Sequence, residues 1–117
     1  MPTPEGRIEE HLLKKCKENK ILCWKFTSPS LNGVPDRILM YDGQVIFVEL
    51  KAPGEEPRPD QKAVHRMMQK QHVTVLVSDN NNTSDKIVQE LLDHKFTPKQ
   101  PKARRASTAS RKKDIKK

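Results

Sequence analysis

Aromatic side chains are scarce in this 117-residue chain: Trp24, Tyr41 and three Phe. That scarcity excludes a surface built from a series of stacking rings. Cysteine is scarcer still. Cys16 and Cys23 form neither a CxxC motif nor a disulfide framework, and each falls in an apolar pattern, so both read as buried free thiols of a reducing compartment. The histidines His11, His65, His72 and His94 show neither HxxxH nor HExxH spacing. The common zinc signatures are thereby removed, and surface positions are expected for all four. No apolar run reaches the length of a signal-peptide core or a membrane span, which predicts an intracellular, cytoplasmic protein with no membrane contact.

What the chain has in abundance is charge, 32% of its residues, with a net +8. The excess is local. Residues 95–117 carry ten Lys/Arg against one acid, Asp114, whereas residues 1–94 carry thirteen against fourteen. The division predicts one compact domain over 1–94 and a basic tail over 95–117 with almost nothing to bury. Such a tail attracts polyanions without sequence preference, and Arg104 and Arg105 are its candidate contacts.

Apolar periodicity predicts a helix over residues 5–19, with Ile8, Leu12, Leu13 and Cys16 on one stripe. At about 100° per residue Glu5 projects near the middle of that stripe, Glu9 lies on its flank and Glu10 points away. Residues 21–26 and 37–41 read as strands, the Asp42-Gly43 pair as a hairpin turn and residues 44–50 as the return strand. Pro59 suits the first turn of a helix running to about Gln71, with Val64, Met67 and Met68 inward and Gln61 toward the edge. Residues 74–77 form another strand, and Ser84 is the expected N-cap of a last helix with Ile87, Val88, Leu91 and Leu92 inward. The order is αβββαβα: an α/β fold with a mixed central sheet flanked by helices.

Chemistry concentrates between Gly33 and Lys51. The apolar run Val45-Ile46-Phe47-Val48 ends in Glu49 and Lys51, where charge loses hydration unless a partner compensates it. Alternation puts Glu49 and Lys51 on one side of the strand, roughly 6–7 Å apart along the backbone. The hairpin returns Asp36 to the same end. Two carboxylates with the intervening Leu50 carbonyl suit a hard cation such as Mg²⁺ or Mn²⁺, with Glu5 or Glu9 from the first helix to complete the set. Lys51 can orient a water and neutralise developing negative charge, and Gln61 can hydrogen-bond the water or a phosphate oxygen. Asp36, Glu49, Lys51 and Gln61 are therefore the candidate catalytic residues. Lys14, Lys15 and Lys25, with Lys17, Lys20 and Arg37, are candidate phosphate contacts.

At these residues the chain resembles the PD-(D/E)xK nuclease superfamily, and within it the VRR-NUC branch. The resemblance is carried by Lys25-Phe26-Thr27-Ser28-Pro29, Gly33-Val34-Pro35-Asp36-Arg37, Phe47-Val48-Glu49-Leu50-Lys51-Ala52-Pro53-Gly54, and Arg58-Pro59 with Gln61. It implies a restriction-endonuclease-like core and metal-dependent hydrolysis of DNA phosphodiesters. Asp36 and Glu49 would be the metal ligands, joined by Glu5 in preference to Glu9, with Lys51 the catalytic lysine, Gln61 the motif glutamine and no organic cofactor. The short layout resembles stand-alone phage and bacterial members similar to Holliday junction resolvases. That likeness implies a homodimer on branched DNA in a bacterial or phage-infected cell, because one site cuts one strand and a twofold pair cuts two. The alternatives are a monomeric flap or nicking nuclease of repair or replication, and a non-catalytic DNA-binding protein whose tail dominates affinity. The second helix, with Met67 and Met68, is the expected dimer surface. Removing the tail is expected to lower the salt dependence of DNA binding and to spare cleavage. Titrations from low to moderate salt check this, and an unchanged slope would contradict it.

Overall fold

The apolar runs assemble into one sheet, β1 (Leu22–Lys25), β2 (Arg37–Tyr41), β3 (Gln44–Leu50) and β4 (Thr74–Ser78), ordered β1-β2-β3-β4. The structure is a computed structural model that describes residues 2–98. Asp42 and Gly43 both take positive φ, 47° and 83°, the geometry of the tight turn whose twist matches the flanking strands. The turn sets the β2–β3 register, from Tyr41 opposite Gln44 to Arg37 opposite Val48. β1 joins the outer edge of β2 antiparallel, and β4 joins β3 in parallel with Glu49 opposite Val77. A parallel neighbour requires a crossover, and helix α2 (Pro59–Lys70) supplies it.

Helices α1 (Pro4–Glu18) and α3 (Asn81–Leu92) cover one face of the sheet. Ile8, Leu12 and Cys16 from α1 and Ile87, Val88 and Leu91 from α3 pack on Leu39, Ile46, Val48 and Leu50. Each fully buried aliphatic side chain stabilises the fold by roughly 1.5–3 kcal/mol. Cys16 is buried and Cys23 half-buried, both free. Buried Gln44 is fully used: its Nε2 donates to the Leu91 and Tyr41 carbonyls, and its Oε1 accepts from the Phe96 N–H at 3.0 Å. Phe96 thus packs against the core. Residues 99–117, including Arg104 and Arg105, lie outside the described residues. No described helix is long and apolar enough to cross a membrane.

Two local expectations need correction. Asn80, not Ser84, caps α3, accepting the Thr83 N–H at 2.7 Å. A cap is available four residues earlier, so the helix begins earlier, and Ser84 turns inward to share a 2.7 Å hydrogen bond with Ser78. In α2 the inward residues are Gln61, Val64 and His65, while Met67 is 60% exposed and Met68 is only partly covered. The reason is what α2 covers. It lies chiefly along β4 and the polar end of β3, so its inner face carries groups that can meet Glu49.

The second sheet face is apolar where α2 does not reach. Leu22, Met40 and Val45 form one cross-strand row, and Trp24, Ile38 and Phe47 the next. Trp24 is 58% exposed, and Leu22 and Val45 are half exposed. Outward positions of a solvated sheet ordinarily alternate to polar residues; these six do not.

Gly33 joins the loop before β2 to the start of α2. Its φ is 99°, and an added Cβ would stand 2.9 Å from the Asp60 carbonyl oxygen and 3.0 Å from Val64 Cγ2. Gly33→Ala is therefore expected to destabilise the fold by about 1–3 kcal/mol, read as a lower denaturation midpoint with an unchanged slope.

Candidate active site

The hairpin register that pairs Arg37 with Val48 carries Asp36 to the end of β3. Its backbone carbonyl accepts the Phe26 N–H at 2.8 Å, and its Oδ2 accepts the Leu50 N–H at 2.8 Å. One side chain thus ties the start of β2 to the peptide between Glu49 and Lys51. Glu49 is 1% exposed. Gln61 Nε2 donates to Glu49 Oε2 at 2.9 Å, and Lys51 Nζ lies 3.5 Å from the same oxygen. The Lys51 N–H is held by the Ser78 carbonyl, so the lysine leaves the sheet from a fixed point.

Gln61 owes its orientation to the helix it begins. Its Oε1 accepts the N–H of Arg58, the residue before the helix, at 2.8 Å. That bond satisfies a donor which helix geometry leaves without an internal partner. With Oε1 engaged, the amide must present Nε2 to Glu49.

These groups line a cavity of about 390 Å³. Glu5, Asp36, Glu49, Lys51 and Gln61 all face it, joined by Arg58 and by polar loop residues such as Asn32. The larger cavities lie elsewhere and gather no comparable set of acids with a lysine. Glu5 reaches the cavity from the first turn of α1. Glu9 does not line it: its Oε2 accepts from Arg37 Nε at 2.9 Å. Arg37, expected as a phosphate contact, is consequently turned onto Glu9 with little of its side chain exposed. Lys14 and Lys25 are exposed, and Lys15 is half exposed beside Glu18. Lys14 and Lys15 stand nine and ten residues along α1 from Glu5, roughly 14 Å along the axis; Lys25 adjoins Phe26 at the cavity wall.

His65 was expected on the surface and is 5% exposed. Its Nε2 lies 3.7 Å from Glu49 Oε1, too far for a hydrogen bond. Both atoms are buried without a partner among the described residues. Gln61 and His65 are four residues apart on one helix and therefore share a face, a spacing that marks His65 only once Gln61 is placed against Glu49.

Burial, then the neighbouring Asp36, pushes the Glu49 carboxyl up to about 7 despite Lys51. Burial and Asp36 also raise Glu5. Burial lowers His65, which favours its neutral form. A buried carboxylate with a raised proton affinity and an orphaned oxygen, standing beside Asp36, fits a hard cation with oxygen ligands. Among the described residues no three His, Cys, Asp or Glu side chains form a ready cage. Backbone oxygen and water would have to complete the coordination, as is usual for Mg²⁺.

A mixed sheet flanked by helices, with an acidic, lysine-bearing cavity at the end of its central hairpin, belongs to the restriction-endonuclease-like nucleases. A solved VRR_NUC domain superposes with a TM-score of 0.69 at 26% identity, covering 74% of this chain and 96% of its own. "Putative nuclease p44" of Acyrthosiphon pisum secondary endosymbiont phage 1 is 40% identical over 81 residues, 68% of this chain and 87% of the phage protein. No family model matches the chain. The chain belongs to the VRR-NUC family and is a nuclease.

Because folding raises the Glu49 pKa from an ordinary 4.5 to about 7, the native state holds that proton more tightly than the unfolded chain. Its stability contribution is therefore present below about pH 4.5 and lost as pH rises through 7. Chelator-treated Glu49→Gln is expected to escape this loss, ending more stable than wild type at pH 8 by up to about 3 kcal/mol. Denaturant unfolding at pH 5 and pH 8 measures the difference.

Proposed function

We propose that the protein is a divalent-metal-dependent, structure-specific DNA endonuclease that resolves four-way junctions as a homodimer. The observation that carries this reading is the convergence of Asp36, Glu49, Lys51, Gln61 and Glu5 on one cavity. Asp36, Glu49 and the Leu50 carbonyl would hold Mg²⁺ or Mn²⁺, with Glu5 completing the shell directly or through water. The cation, when bound, lowers the pKa of a coordinated water and offsets charge on the phosphate. Lys51 positions the attacking water and balances the charge that builds as the water oxygen bonds to phosphorus. One P–O ester bond then breaks; the proton given up by the water passes to solvent, and the departing oxygen takes a proton from solvent. Gln61 keeps Glu49 facing the reaction, and Arg58 at the cavity rim binds a neighbouring phosphate.

The dimer has its own support in the uncovered face of β1–β3. Its outward rows are apolar, so it can pack on its own twofold mate as two sheets stack, about 10 Å apart. It replaces Met67 and Met68 as the favoured interface. Glu49 follows Phe47 by two residues on β3, so a dimer built there sets both cavities beside the seam. The phage relative fits a cytoplasmic setting in a bacterial or phage-infected cell. In this scheme residues 1–94 carry the chemistry and the basic tail over 95–117 adds affinity for DNA.

The acids, the lysine and the glutamine required for a single cut stand together in one copy of the chain, so the second reading is a monomeric flap or nicking nuclease. Labelled four-way junction, flap and linear duplex, incubated with Mg²⁺, Mn²⁺ or EDTA, separate the two. Preferential metal-dependent cutting of the junction supports the first reading; cutting flaps while ignoring junctions supports the second. Asp36→Ala, Glu49→Ala and Lys51→Ala are each expected to lower cleavage at least a thousandfold and to retain junction binding. Full activity in any two of them would overturn the assignment. Trp24→Lys with Val45→Lys is expected to halve the mass seen by sedimentation equilibrium, and a dimer that persists would place the interface elsewhere.

A further inference from the structure

Two buried polar atoms face each other across 3.7 Å behind the cavity, Glu49 Oε1 and His65 Nε2, and neither has a partner among the described residues. Glu49 Oε2 has two neighbours, Gln61 Nε2 at 2.9 Å and Lys51 Nζ at 3.5 Å. The carboxylate is therefore anchored at one oxygen and left loose at the other. A buried polar group without a bond is costly, and two such groups within an ångström of bonding distance point to one interaction between them.

We infer that His65 is a positioning residue: its Nε2–H donates to Glu49 Oε1, clamping the carboxylate from behind while the cavity side binds the cation. The inference rests on the metal reading above and adds to it a residue that the motif around Asp36, Glu49 and Lys51 does not contain. The supporting geometry is specific. Gln61 and His65 lie one helical turn apart on the inner face of α2, so one rigid element addresses both Glu49 oxygens. The Gly33 contact holds the start of that element against the loop leading to Asp36. Tilting of the Glu49 carboxylate about its last torsion would move a bound cation relative to Asp36, and a second anchor removes that freedom. Groups that orient a ligating side chain typically contribute tenfold to a hundredfold in metal affinity.

The test uses the full chain and Mn²⁺ as the probe. Affinity is measured by calorimetry and by the free-ion paramagnetic signal, for wild type, His65→Ala, His65→Gln and His65→Phe. Thermal unfolding with chelator present confirms that each variant is folded. His65→Ala and His65→Phe are expected to bind Mn²⁺ at least tenfold more weakly. His65→Gln, which keeps a donor, is expected to recover much of that loss, whereas a packing role alone would favour His65→Phe. In ¹⁵N-labelled protein titrated with the diamagnetic Mg²⁺, the His65 ring is expected to show a protonated Nε2 whose shift moves on binding. Equal Mn²⁺ affinity in wild type and His65→Ala, or recovery by His65→Phe and not by His65→Gln, would overturn the inference and leave the metal reading standing. A wild type that binds no Mn²⁺ would overturn both. Should His65→Ala and His65→Phe fail to fold, the comparison of wild type with His65→Gln decides: a His65→Gln affinity more than a hundredfold weaker, with the Nε2 shift unmoved by Mg²⁺ in wild type, rejects the clamp.

Discussion

A carboxylate with 1% of its surface exposed at the end of an apolar strand is the constraint around which this molecule is arranged. Glu49 sits where Val45 to Val48 have already committed β3 to the interior, and an unpaired charge there would cost several kcal/mol. The fold meets that cost with named groups. Lys51 leans back from two residues on and Gln61 donates from the first turn of α2, whereas Asp36, brought alongside by the hairpin and secured through the Leu50 N–H, adds to that cost. The rotation of α2 itself follows. Its inner face carries Gln61 and His65 because the sheet surface beneath it ends in a carboxylate.

The two faces of the sheet divide the labour. Under α1 and α3 the residues Ile46, Val48 and Leu50 make an aliphatic core whose only deeply placed amide, Gln44, has its hydrogen bonds made. The other face holds Glu49 and, beyond it, the uncovered rows of Leu22, Met40 and Val45 and of Trp24, Ile38 and Phe47. The Phe26 and Phe47 rings meet edge-on at 5.1 Å and connect the cavity wall to that apolar surface. The cavity and the uncovered apolar surface thus share one strand.

Charge is distributed in the same economical way. Residues 1–94 are nearly neutral and the excess of positive charge lies in the sequence beyond them, whereas Arg37 is paired internally with Glu9.

By itself the sequence determined the element order, the hairpin and the acid–acid–lysine set, because these follow from short-range rules. Alternation places Glu49 and Lys51 together, Asp-Gly closes a two-residue turn, and a four-strand, three-helix order with those residues has few ways to fold. The helical angle left Glu5 and Glu9 both open, and the family resemblance favoured Glu5. What it could not carry was the rotation of α2, the inward turn of Ser84, the pairing of Arg37 with Glu9 and the burial of His65. Each depends on which surface lies across from it, and the apolar pattern favours Met67 and Met68 over His65 until Glu49 is known to lie under the helix. Only the tertiary structure decided which residues stand behind the site, since a carboxylate buried by one part of the chain selects its partners from another.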